Sequence, residues 1–164
     1  MSEERVIPVL ERTEVLKMVC NDGILYSIVC ALRGPDLTNS QPLKNVFTWS
    51  IRWICSDFKN PSKTILDLIR PGNLIMVIYD LPLIEGDIEH YLSHVRSAYR
   101  SLYEIKAIPK DIYEYVRECI KVVEKISEIL ESKPFKDIDV DSYTEPIVRL
   151  YKDLCEKYKV SEGE

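Results

Sequence analysis

Glycine is scarce in this chain, at 5 residues in 164. No Gly-rich phosphate loop is present, which excludes nucleotide hydrolysis by a P-loop mechanism. The five cysteines (Cys20, Cys30, Cys55, Cys119 and Cys155) are odd in number and form no C-x-x-C pair. That pattern excludes a disulfide framework and a cysteine zinc site, and implies reduced, mostly buried thiols. The longest apolar stretch, residues 74–79, is far shorter than the about 20 residues a bilayer requires. Ser2, Glu3 and Glu4 follow Met1 where a secretory or transit segment would begin. A soluble, cytoplasmic protein without membrane association is expected. A net charge of -5 argues against non-specific nucleic-acid binding, which depends on neutralising phosphates. No serine sits in a G-x-S-x-G setting and the cysteines lie in apolar runs, so no catalytic group is assigned.

What the sequence does contain is enough apolar material for a core: 46% hydrophobic residues beside 30% charged ones. Its patterning changes near residue 85. Before that point the segments read as strands. Residues 15–20 and 24–33 flank Asn21-Asp22-Gly23, a hairpin signal. Residues 46–56 alternate: Phe47, Trp49, Ile51, Trp53 and Cys55 on one side, Thr48, Ser50, Arg52 and Ser56 on the other. Both tryptophans are therefore expected in the core. Residues 74–79 read as a central strand, apolar on both faces. Four strands cannot close a barrel, so residues 6–10 or a second subunit would have to supply the remaining wall.

After residue 85 the period becomes helical. Ile88, Leu92, Val95, Tyr99 and Leu102 form one stripe. A second helix opens at Pro109 with Ile112, Val116, Cys119, Val123, Ile126 and Leu130. A third begins at the capping box of Ser142 and Glu145, with Pro146 in its first turn, and continues through Ile147, Leu150, Tyr151, Leu154 and Tyr158. The tyrosines at 91, 99, 103, 113 and 115 are expected to pack between helices. The division is a β-rich region, 1–84, and a helical region, 85–164.

Chemistry is concentrated at 59–80. Asn60 is suited to an N-cap and Pro61 to the first helical position, so Lys59, Ser62, Lys63 and Thr64 crowd the end of a short helix where an anion is favoured. An apolar segment follows Gly72-Asn73. His90 and His94 share a helix face with Asp87, but two histidines need a further ligand to close a tetrahedral site, and no metal is assigned.

The order of strand 51–56, Lys59, Ser62-Lys63-Thr64, short helix, Gly72 and apolar segment resembles the flavin-reductase-like FMN-binding split barrels. The resemblance spans about residues 10–82. It implies an α+β fold, an antiparallel split barrel followed by three amphipathic helices. It further implies an FMN phosphate held by Lys59, Ser62, Lys63 and Thr64 with support from Arg52, a nicotinamide electron donor, and a homodimer. The other expectation is a non-enzymatic interaction or dimerisation module without cofactor, using the Pro109 helix stripe as its contact.

Overall fold

A computed structural model describes residues 40–56, 60–84, 87–104 and 106–160. Every regular element among them is helical. The first helix, α1, is composite: it starts as Gln41–Leu43, widens into a π-helical turn at Lys44–Thr48 and continues as Trp49–Ser56. Ser40 caps it, accepting the Leu43 N–H at 3.1 Å while its hydroxyl donates to Asp80 at 2.5 Å. Helix α1 buries Leu43, Val46, Phe47, Thr48, Ser50, Ile51 and Ile54. Apart from Thr48 at the edge, their alternating spacing of three and one describes one helical face.

This overturns the strand expected at 46–56. The alternation of Phe47, Trp49, Ile51 and Trp53 is compatible with a helix if Ser50 turns inward and the tryptophans turn out. The interior allows that because the Ser50 hydroxyl is satisfied there, donating to the Phe47 carbonyl at 3.0 Å and bonding the Tyr99 hydroxyl. Trp49 and Trp53 stay 40% and 56% exposed, so they are not core residues.

Two short helices follow, α2 at Pro61–Leu68 and α3 at Pro71–Asp80, each with proline in its first turn. The segment at 74–79 is thus the body of α3 and not a central strand. Leu74, Val77 and Ile78 face inward, while Met76 and Tyr79 face out. A six-residue apolar run does not separate a buried strand from a buried helix, and Pro71 decides the matter by starting a helix immediately before it. A 3-10 turn at Leu81–Leu83 ends this half.

Three long helices complete the described chain: α4 at Ile88–Glu104, α5 at Lys110–Ile129 and α6 at Val140–Tyr158, with a 3-10 turn at Phe135–Asp137 before the last. Their stripes fall as expected. Leu92, Val95, Tyr99 and Leu102 are buried on α4, and Ile112, Val116, Cys119, Val123 and Ile126 on α5; α6 buries Ile147, Tyr151 and Leu154. Ile88, Leu130 and Tyr158 from the expected stripes are half-buried against this core, and Leu150 is 39% exposed. Helix α6 begins at Val140, earlier than its capping-box sequence suggested, so Pro146 lies inside the helix beyond its first turn.

The core of the described residues is one continuous cluster drawn from each of α1 to α6. Helices α4, α5 and α6 pack in sequence, and α2 and α3 lie against α6. Hydroxyl pairs join α1 to α4: Thr48 with Tyr91 at 2.5 Å, and Ser50 with Tyr99. Tyr103 and Tyr113 stack with centroids 4.8 Å apart between α4 and α5. Arg96 pairs with Glu124 across the same two helices.

With no strand among the described residues, the α+β split barrel is corrected to a helical fold. The hairpin expected at 15–20 and 24–33, and the closing strand at 6–10, lie outside the described residues.

Candidate functional site

The start of α2 is built as a capped helix end. The Asn60 side chain accepts the Lys63 N–H at 3.1 Å, and its carbonyl accepts the Thr64 N–H at 3.1 Å. Lys63 turns along the helix to Asp67, with Nζ 2.7 Å from the carboxylate. Ser62 is buried and Thr64 half-buried. Arg52 is on α1, its guanidinium 4.9 Å from the centroid of the Trp49 ring. Lys59 lies outside the described residues. Ser62, Lys63 and Thr64 therefore share one turn, with the Lys63 ammonium on a carboxylate, while Arg52 faces an indole on another helix. Among the described residues no strand forms a barrel wall to carry an isoalloxazine ring, and the flavoprotein expectation loses its support.

Sequence reasoning missed a groove of about 580 Å³ where α1 meets α2 and α3. Val46, Trp49 and Trp53 line it from α1, Leu68 from α2, and Asn73 and Met76 from α3; Gln41, Pro42 and Asn45 complete it. No lining residue carries a charge. Met76 is 60% exposed, so a thioether and two indoles project around the groove. The signal was present in the sequence: Trp49 and Trp53 are four apart, one helical turn, and form an apolar stripe that borders the buried face at Val46. Read at a period of two, that stripe merged with the core.

The polar groups within the bundle serve the fold. Tyr91, Tyr115 and Tyr151 hydroxyls reach the carbonyls of Leu43 at 3.4 Å, Ile69 at 2.6 Å and Leu66 at 3.0 Å. Burial raises the Tyr91 and Tyr115 phenols well above the usual range. Cys119 and Cys155 are buried reduced thiols, and burial pushes the Cys119 thiol up, away from the reactive thiolate. Cys20 and Cys30 lie outside the described residues.

At the surface of α4, His90 and His94 bring their Nε2 atoms to 3.1 Å, with rings edge to face at 4.5 Å between centroids. Partial burial and the neighbouring His90 hold the His94 imidazole below its ordinary pKa. Asp87 caps α4, accepting the His90 N–H at 2.9 Å. An acidic cleft of about 370 Å³ lies beside it, lined by Asp87, Glu89, Glu124, Glu128 and Glu131 among others. Among the described residues, no three His, Cys, Asp or Glu side chains are grouped to hold a metal ion. Nor is any helix among them long and apolar enough to cross a membrane.

Comparison of the chain with known protein families, with characterised proteins and with solved structures finds no match. The absence of a family match and the helical fold together overturn the flavin-reductase-like resemblance.

Proposed function

We propose that this chain is an interaction module that pairs with a second copy of itself through the groove formed by α1, α2 and α3. The observation that carries this reading is the outward placement of Trp49, Trp53 and Met76 around an uncharged groove. Clustered apolar side chains at a surface mark interaction sites, and Trp is favoured as an interface anchor. The stripe on α5, the contact expected from sequence, is spent inside the chain's own core.

A second copy suits the groove better than a charged partner, because its lining offers no ionic complement. It also suits two-fold pairing, in which one patch must supply both projection and hollow. Trp53 projects at the rim of the groove that the partner's equivalent residue would enter.

Sedimentation of the full chain tests this. A dimer at micromolar concentration, converted to monomer by Trp53→Glu with the helical circular dichroism unchanged, is the expected result. A wild-type monomer whose tryptophan emission is already blue-shifted would overturn it, since the groove would then be covered by the same chain. A dimer that survives both Trp53→Glu and Met76→Glu would overturn it equally.

A further inference from the structure

We infer that His90 and His94 form an open chelate for a late first-row divalent cation such as Zn²⁺, Ni²⁺ or Cu²⁺. The two residues are four apart on α4, one turn of helix, and the backbone fixes their relative position. Their Nε2 atoms lie 3.1 Å apart. With metal–nitrogen bonds of about 2.0–2.1 Å, that separation corresponds to an angle of about 100° at a shared metal. The value lies between the angles of octahedral and tetrahedral geometry, so a cation bridges both nitrogens without rearranging the helix.

In the structure the nitrogens satisfy one another, one donating and the other accepting. A cation replaces that hydrogen bond with two dative bonds from neutral imidazoles. The proton on the donating Nε2 moves to its own Nδ1 through solvent, so two neutral rings bind with no net proton release. Imidazole nitrogen suits these metals, and Cu²⁺ should bind most tightly. Two protein ligands leave the remaining positions to water, which makes this a surface site of modest affinity with room for an external ligand. No residue of α4 lines the groove proposed for self-pairing, so the two inferences stand separately.

The test titrates Zn²⁺, Ni²⁺ and Cu²⁺ as simple salts into the untagged full chain, with competition against a colorimetric chelator. One equivalent per chain should bind, in the order Cu²⁺ above Ni²⁺ and Zn²⁺. His90→Gln and His94→Gln should each weaken binding at least tenfold while leaving every cysteine in place. Zn²⁺ should also raise the thermal midpoint of the wild type and not of either variant. Absence of stoichiometric binding at several hundred micromolar cation would overturn the site. So would equal affinity in the wild type and both glutamine variants, which would place the cation elsewhere.

Discussion

The Tyr115 hydroxyl on α5 donates to the Ile69 carbonyl at 2.6 Å, joining residues 46 apart in sequence. Ile69 is the residue where α2 stops, and a helix end exposes carbonyls with no partner in the helix. The carbonyls here are provided for in turn. Ile65 accepts the Ile69 N–H at 2.7 Å, Leu66 the Tyr151 hydroxyl at 3.0 Å, Asp67 the Arg70 Nε at 2.9 Å, and Leu68 the Asn73 amide at 3.1 Å. Tyr115 completes the set. The turn between α2 and α3 is therefore held by side chains from α5 and α6, which fixes one wall of the Trp49–Trp53 groove.

Tyr115→Phe keeps the ring and removes the donor, leaving the Ile69 carbonyl buried without its phenol. The expected cost is about 1–2 kcal/mol. For a chain of this size that lowers the thermal midpoint by about 2–4 °C per kcal/mol. Calorimetry of the variant checks it; an unchanged midpoint would show that the turn holds without Tyr115.

Asp111 joins the start of α5 to the end of α6. It accepts from Lys157 Nζ at 2.6 Å, the Tyr158 hydroxyl at 2.8 Å and the Ile112 N–H at 2.8 Å. Burial works to raise its pKa, but the hydrogen bonds from Lys157, Tyr158 and Ile112, with the charge of Lys157, outweigh it and the net shift is downward. A lowered carboxylate contributes stability above its unfolded value of 3.8, and that contribution is lost as the pH falls through the lower folded value. Tyr158 behaves oppositely. Burial and Asp111 push it up to about 12, so its contribution is complete below 10.0 and lost as the pH rises from 10.0 toward 12. Asp111→Asn should remove the acid arm of a pH–stability profile and shrink the alkaline arm, whose larger cause, the burial of Tyr158, remains. Lys157 is largely exposed, so solvent screening keeps the effect at neutral pH under about 1 kcal/mol.

Two helices end on lysine in the left-handed region, Lys106 at φ 66° and Lys159 at φ 57°. Each closes a Schellman motif. Ala107 and Val160 donate back to Leu102 and Cys155 at 2.8 and 2.9 Å, and Lys106 and Lys159 to Tyr103 and Glu156 at 2.9 and 3.4 Å. A Cβ is disfavoured in that conformation and glycine is not. Lys106→Gly and Lys159→Gly should each stabilise by about 0.5–1 kcal/mol, and their effects should add because the sites are at different helix ends. Denaturant midpoints for the two single variants and the double variant measure this.

The helical half of the chain was legible because its stripes are long. A period of 3.6 sustained along helices of 17 and 20 residues has no competing reading, and spacing alone picks out most of the inward residues of α4 and α5 but not Ala98 or Ile120. The first half misled because its helices are short and its apolar residues many. In α1, Trp49 and Trp53 belong to a different face from Phe47 and Ile51, yet all four alternate with polar residues. Ser50 was the residue that would have separated the two readings, and its burial depends on the Tyr99 hydroxyl from a distant helix, which no local pattern shows. In α3 the apolar run at 74–79 reads as a strand by itself, and it is Pro71, a helix starter, that makes it helical. At the candidate site, the Asn60 cap and Pro61 start were plain in the sequence. What it could not show was that Lys63 would turn to Asp67.

The contrast between Trp53 and Ile54 distinguishes the helical α1 from the strand its alternation suggested. On a strand, Trp53 would face the core and Ile54 the solvent. On the helix the assignment is reversed: Ile54 is fully buried and Trp53 is 56% exposed. Ile54→Ala should therefore cost about 2–5 kcal/mol through lost burial and the cavity it leaves. Trp53→Ser should change the stability of the folded chain by only about 0.5 kcal/mol when measured at concentrations too low for self-association. Chemical denaturation of both variants at submicromolar protein gives the two numbers directly. A large loss at Trp53 with a small one at Ile54 would restore the strand and remove the groove on which the proposed pairing rests. The predicted order would instead leave Trp53 as a residue that stability does not require, placed at the surface where a second copy can use it.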